Sequence, residues 1–325
     1  VTGGEKNIGV QRGHIEGGET MTEVKFDESD QRLKGTPIGK YRRWFRSAVD
    51  GADDWRKEAQ EDYDFVAGKQ WTDEELADFE DAHLPAITIN RIKPLINVLS
   101  GYQRLNRYDI EFLPRTNDDT EICQVRKGMT KYILDRCDYD SQESQAFLDA
   151  AIGGLGWFDV GYKFDEEMQD GEAYVKREDP FSIYVDPEAH KSDYSDAKYI
   201  CRAKWVDKDE LKTVFPEHAE AIEAQYAVYD TAENDYQRES RPDPMWYKSE
   251  LQKVRLVECW YKTKENATLI QLADGRTIQE SELPPEELLA LYIQGQVTGE
   301  QKITKNKVKV CSFFDTVLLE DMDSP

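Results

Sequence analysis

LPAITINRIKPLINVLSGYQRLNR, residues 84–107, joins an alternating apolar segment to a helical one and carries no catalytic group. Ile87 and Ile89 alternate with Thr88 and Asn90, which reads as a short strand with its apolar side chains on one face. Pro94 follows where the first turn of a helix tolerates it, because an N–H there has no intrahelical partner. Leu95, Ile96, Leu99 and Tyr102 then recur at helical spacing, with Ser100-Gly101 as a weak point near the end. By pattern alone this is an ordinary strand-to-helix core element.

Upstream lies the basic-aromatic cluster Lys40-Tyr41-Arg42-Arg43-Trp44-Phe45-Arg46. It reads either as a grip for phosphates or a partner helix, through Arg and stacked rings, or as a solvated amphipathic helix turn. From Asp53, the stripe Trp55, Ala59 and Val66 predicts a helix ended by Gly68. Thr72 with Glu75 predicts a capping box for an acidic helix over 73–82.

Downstream, Ile110 and Phe112 predict a second strand closed by Pro114. Ile122, Val125, Met129, Tyr132 and Ile133 mark a helix over about 120–137, and another runs from near Ser141 to Gly153-Gly154. Phe158, Val160 and Tyr162 alternate with Asp159 and Gly161 and open a β-rich portion at Trp157, continued at Tyr174, 181–185 and 199–205. Two short helices are expected over 207–214 and 216–226. The Tyr-, Asp- and Pro-rich stretch 229–245 is the best candidate boundary. Beyond it the pattern predicts a strand over 254–261, a hairpin of 268–272 with 276–278 about Asp274-Gly275, a helix over 283–293, and one or two strands over 308–319. The fold class is therefore α+β, helices packed with antiparallel β segments.

The formal net charge of -24, from 66 acidic and 42 basic residues, argues against a simple duplex-binding surface, which needs a clustered positive patch. Cys123, Cys137, Cys201, Cys259 and Cys311 are widely spaced, with no CxxC or Cys/His cluster, which suits reduced thiols better than a disulfide framework or zinc site. No apolar run approaches the roughly 20 residues that cross a bilayer. Residues 1–20 admit two readings. Glu16-Gly17-Gly18-Glu19 is encodable by a purine run like a ribosome-binding site just before Met21, which makes 1–20 an untranslated leader; alternatively it is a Gly-rich arm.

Catalytic patterns are weak. His14, His83, His190 and His218 lie far apart, without ligand spacing. Gly153, Gly154 and Gly156 follow a helix and precede no Gly-Lys-Ser/Thr, so they read as a turn between helix and strand rather than a phosphate loop. The sharpest enzyme alternative is a metal-dependent nuclease, with Asp186, Glu188 and Lys191, or Asp207, Glu210 and Lys212, as carboxylates beside a lysine. In so acidic a chain these groupings arise by accident. VDPE is better read as a turn, in which Pro187 fixes the backbone and Asp186 caps it. No catalytic, metal or cofactor site is expected.

The run PAITINRIKPLINVLSGYQRLNRYDIEFLP, residues 85–114, resembles the N-terminal signature of the P22-like portal proteins of podoviral phages. EDYDFVAGKQW (61–71), GGLGWFDVGY (153–162) and REDPFSIYVDPEA (177–189) agree with it, in order and without large gaps, so the likeness spans about 55–325. Such portals form a dodecameric ring at one capsid vertex, nucleate head assembly and give the terminase motor its DNA channel; they hydrolyse nothing. The resemblance implies partners: further copies of the chain, terminase, scaffolding and coat proteins, head-completion and tail proteins, and double-stranded DNA passing without sequence readout. It implies no membrane, and places the protein in the virion and, during assembly, in the host cytoplasm. For a channel, an acidic wall has a use, since each phosphate contact would brake the strand.

By the same resemblance, residues 53–228 are a wing-like α/β region, preceded by an arm over 21–52 and followed by the 229–245 linker and a β-rich region over 246–325. Stem, clip and crown lie beyond it, so the chain is expected to be a truncated portion that folds in part. A head-tail adaptor or interaction remnant is the alternative. The expected family-signature positions, structural or at interfaces, are Pro85, Asn90, Arg91, Pro94, Asn97, Gly101, Arg104, Trp157, Asp186 and Pro187. Asn90, Arg91, Asn97 and Arg104 are expected to act as polar fixtures holding a wing element in a ring.

Overall fold

The computed structural model describes residues 33–115, 119–164, 171–234, 246–248, 251–273 and 276–324. Its first element, α1 (Pro37–Ala67), starts where the Thr36 side chain accepts the Gly39 N–H and Pro37 needs no bond partner, and it ends at Gly68, φ 102. Next come α2 (Asp73–Asp81), α3 (Ile92–Leu105), α4 (Thr120–Arg136) and α5 (Tyr139–Gly153). The capping box at Thr72 and Glu75 is made in both directions, as predicted.

Strands β1 (Trp157–Lys163) and β2 (Glu172–Glu178) form an antiparallel hairpin. The main sheet contains β3 (Ile183–Val185), β4 (Tyr199–Asp207), β6 (Lys253–Leu272), β8 (Val297–Phe314) and β9 (Val317–Asp323), in that spatial order and antiparallel throughout. Short strands β5 (Tyr247–Lys248) and β7 (Thr277–Gln279) also pair with β6. Helices α6 (Lys208–Val214), α7 (Ala219–Asn234) and α8 (Pro285–Ile293) complete the elements. The α+β class is as expected. β4 and β6, which flank the 229–245 stretch in sequence, are neighbours in one sheet over nine residue pairs.

The core forms where α1 lies on this sheet. Tyr41, Phe45 and Ala48, one helical face, are buried against Cys201, Cys259, Cys311, Val257 and Phe313. Trp44 stacks on Tyr199 with centroids 4.9 Å apart and planes at 8°, and Phe45 meets Tyr184 edge-on at 5.2 Å. Phe45, Trp246 and Phe313 are at most 1% exposed, and each burial stabilises by about 1.5–3 kcal/mol. Arg202, one residue after Cys201, points to the opposite face. There its guanidinium reaches Asp159 of β1 at 2.5 Å and Glu258 of β6 at 2.5 Å, fastening the hairpin to the sheet.

Several expectations are corrected. The first helix begins at Pro37 rather than Asp53, so the basic-aromatic cluster lies inside it. Tyr41, Arg42 and Phe45 are 3%, 3% and 0% exposed and anchor the core, while Lys40 and Arg43 stay exposed, so the cluster is one turn after another of an amphipathic helix with its aromatic face packed inward. The strands expected at 87–90 and at 110–112 are irregular: alternation alone makes no strand where no neighbour takes up the backbone N–H and C=O groups. Residues 254–261 and 268–272 are parts of the single strand β6, whose partner β8 also begins earlier than expected; sixteen paired positions carry the polar middle that the pattern hid. Helix α7 runs into the stretch expected as loop, to Asn234. The predicted turn at Asp274-Gly275 lies outside the described residues, as do 1–20 and most of 229–245, although Ile270 pairs with Ile278 as the hairpin requires.

Candidate assembly interface

The signature stretch is attached to the rest of the molecule at Asn90. Its amide nitrogen donates to the carbonyls of Val66, at 3.0 Å, and Phe65, at 3.4 Å, in the last turn of α1, where the Phe65 carbonyl also accepts the Gly68 N–H at 3.1 Å. Its amide oxygen accepts the N–H groups of Ile92 and Lys93, at 3.1 and 3.0 Å, which open α3. One side chain thus caps two helix ends. Arg91, the N-cap residue by backbone position, makes no capping bond.

α3 packs on α5 through a narrow polar face. Ser100 is its one buried residue, and the Ser144 hydroxyl donates to Gln103 at 3.4 Å. Arg107, just past the helix, donates to the Asp140 carbonyl at 2.9 Å and forms an ion pair with the Asp140 carboxylate. The apolar stripe points the other way: Leu95, Val98 and Tyr102 are 69%, 71% and 67% exposed. Beside it α4 has no buried residue, and Val125, Met129 and Tyr132 are 62%, 59% and 60% exposed. Residues read from sequence as core are here uncovered apolar surface. A groove of about 520 Å³ lies along α4 and α5, lined by Arg107, Tyr108, Ile110, Lys127, Lys131 and Leu134 among others.

Of the expected signature positions, Pro85, Arg91, Pro94, Asn97 and Arg104 are exposed on this segment, and Gly101 sits half-buried with nothing within 4 Å of where a Cβ would stand. The others belong to the far side. Trp157 stacks on Tyr194 at 5.5 Å. Asp186 is 4% exposed, and its two carboxylate oxygens accept the N–H groups of Glu188 and Lys198 at 3.1 and 3.0 Å. Pro187 packs against Gly51 of α1 so closely that a Cβ at Gly51 would lie 2.8 Å from the Pro187 ring. Asp186 and Pro187 therefore form the turn the sequence suggested, docked on α1.

Of the carboxylates of the nuclease alternative, Asp186, Glu188 and Asp207 are committed to structure, and Glu210 is exposed on α6. Glu188 pairs with Lys198, and Lys191 donates to Ser195 at 3.1 Å. Asp207 caps α6, and Lys212 bridges Asp209 and Glu223 at 2.8 and 2.7 Å, which pushes its ammonium up to about 12. Among the described residues no group of three or more His, Cys, Asp or Glu side chains is arranged to hold a metal ion, and no described helix is long and apolar enough to cross a membrane.

Sequence reasoning missed two arrangements. Cys201, Cys259 and Cys311 stand in register on β4, β6 and β8, all at 0% exposure. Tyr41 and Tyr261 donate to the two oxygens of Asp321 at 2.7 and 2.8 Å, joining α1 to the edge strand β9. Only the helical spacing of Tyr41, Phe45 and Ala48 offered a signal, and charged neighbours masked it.

A sequence model of one family, described as Phage P22-like portal protein, matches residues 42–325, from within α1 to the last residue. Among curated proteins none matches the chain.

Proposed function

The chain belongs to the phage P22-like portal protein family, and from this premise we propose that it takes its place as one of a ring of identical copies, twelve by resemblance to the family. Its function is that of a phage portal, the head-tail connector at which the genome is packaged. In the proposed ring the outer surface meets coat and scaffolding protein, terminase docks during packaging, and head-completion and tail proteins follow. Double-stranded DNA passes through without sequence readout. The chain itself catalyses nothing, in keeping with the structural role of portals.

The observation that carries the ring reading is the uncovered apolar stripe of α3. A helix whose polar face packs inward and whose Leu95, Val98 and Tyr102 face water has its burial reversed, and a neighbour restores it. The net charge of -24 supports free passage of DNA, because a wall with few phosphate contacts does not hold the strand.

The test is location. Gold-labelled antibody against this chain is expected to mark a single vertex on heads of the phage that encodes it, and heads assembled without the chain are expected to lack DNA. Label spread over all vertices, or DNA-filled heads in its absence, would refute the reading.

A further inference from the structure

We propose that the open edge of β8, from Glu300 to Asn306, takes up an extended acidic segment of a partner protein as an added strand. This edge belongs to neither α3 nor α4, and its role does not rest on the ring reading.

β6 and β8 are longer than the strands beside them. β4 pairs with β6 only as far as Tyr261, β7 pairs with it only from Leu269, and β9 pairs with β8 only from Lys309 onward. From Thr263–Lys307 to Thr268–Lys302 the two therefore form a ribbon with no third strand among the described residues. The Ser324 N–H donates to the Val308 carbonyl at 3.1 Å, so the peptide groups of Val308 face away from β6. In an antiparallel strand the N–H and C=O of one residue point the same way and the direction alternates, so Asn306, Thr304, Lys302 and Glu300 present theirs on that same outer edge. All four residues are exposed and none is proline. A two-stranded ribbon is marginal in water, and an incoming strand completes it through main-chain hydrogen bonds.

Charge selects the occupant. Residues 262–268 and 301–309 hold six lysines and one acid, Glu265, in a chain of net charge -24. Lys307 and Lys309 are matched by Asp323, at 2.7 and 3.6 Å, and Lys307 also by Glu265 at 3.6 Å. Lys305 donates to the neutral Gln279 at 3.2 Å, and Lys262, Lys264, Lys302 and Lys305 form no ion pair among the described residues. Lys302 and Lys305 both stand on the edge strand, and because side chains alternate they flank the edge on opposite faces of the ribbon. A second copy of the same edge would set lysine against lysine, which is how edge lysines prevent self-pairing. The same charges attract an acidic strand on either face. Nucleic acid offers the negative charge but has no peptide groups to meet the row of N–H and C=O on β8.

The test is binding of a short fluorescein-labelled peptide that alternates glutamate and valine to the 325-residue chain at low ionic strength, followed by anisotropy and amide exchange. Binding is expected, with slowed exchange at Lys302, Thr304 and Asn306, whose amides are expected to exchange fast in the chain alone. Lys302→Glu with Lys305→Glu, at exposed positions, is expected to keep the circular dichroism spectrum and weaken binding roughly tenfold or more. Thr304→Pro keeps every charge and removes an outward N–H, which an edge strand tolerates, and is expected to weaken binding as far. Methylation of the peptide's backbone nitrogens, which leaves the protein untouched, is expected to do the same. Full affinity for the methylated peptide would reduce the contact to charge and overturn strand addition. Slow exchange at Thr304 in the chain alone would show the edge already covered and overturn it too. Tighter binding of duplex DNA than of the peptide would make the ligand a nucleic acid instead. Absence of peptide binding overturns the proposal outright, while vertex labelling decides the portal reading separately.

Discussion

The guanidinium of Arg42 and the carboxylate of Asp315 meet at 3.0 Å inside the core, with side-chain exposures of 3% and 5%. Arg42 comes from α1 and Asp315 from the turn between β8 and β9, where φ is 47 and Gln225 also donates to it at 2.6 Å. The pair therefore ties the first described helix to the last two strands. Removing one partner leaves the other charge buried, so Arg42→Ala is expected to cost about 3–5 kcal/mol. Arg42→Met combined with Asp315→Asn, which leaves no net charge and keeps a residue tolerant of the left-handed turn, is expected to cost clearly less. Denaturant midpoints of the two variants check the order.

Asn90 caps two helix ends, and its two functions are separable. Asn90→Asp keeps the acceptor for Ile92 and Lys93 but loses the donor to Phe65 and Val66, whereas Asn90→Ala loses both. The alanine variant is expected to lose about 1–2 kcal/mol. The aspartate variant is expected to fall between it and the wild type, with faster amide exchange where α1 meets α3. Equal exchange at Val66 in all three proteins would deny the link.

Alkaline pH is expected to loosen the contact between α1 and the sheet. Burial, the mutual hydrogen bonding of the hydroxyls and Asp321 push the Tyr41 phenol well up, and burial together with Asp321 pushes Tyr261 to about 12. Both folded values exceed the ordinary 10.0, so folding favours the protonated form. Their stabilisation is complete below pH 10 and is lost as pH rises from there through about 12, where Tyr261 ionises in the folded protein. Tyr41→Phe is expected to make the decline of stability between pH 10 and 12 shallower.

The three thiols in register are expected to be silent in the native protein. Cys201, Cys259 and Cys311 are fully buried; a hydrogen bond with Cys201 raises the Cys259 thiol and one with Cys259 raises Cys311, burial adding to both. Thiolate is the reactive form, so a disulfide reagent is expected to label the partly exposed Cys123 and Cys137 first and the other three only on unfolding. Rapid modification of Cys259 under native conditions would contradict the packing.

Helix ends and turns were legible in the sequence because local chemistry makes them: Thr72 and Glu75 cap one helix, Gly68 ends another, and Asp186-Pro187 is a turn. What escaped depends on partners distant in sequence. Ile87 and Ile89 alternate like a strand yet find no neighbour, while 299–307 lack a clear alternation and pair fully along β6. Tyr41 and Phe45 sit among lysine and arginine, and only the packed sheet shows which side of that helix is inside. The exposed face of α3 carries the signature stretch yet has the pattern of a core helix, because the same 3.6-residue spacing serves a helix covered by its own molecule and one left uncovered.

Gly101 separates those two cases by experiment. Glycine within a helix costs about 1 kcal/mol relative to alanine, a cost accepted where a Cβ would collide. Here nothing lies within 4 Å of the Cβ position, and Ser100 beside it is already buried against the molecule's own interior. Gly101→Ala is therefore expected to stabilise the isolated chain by up to about 1 kcal/mol. If a neighbouring copy approaches α3 at this point, the same substitution weakens self-association even as the melting temperature of the monomer rises. Opposite signs in the two measurements assign the glycine to close approach between chains, and a gain in both would leave it without a role in assembly.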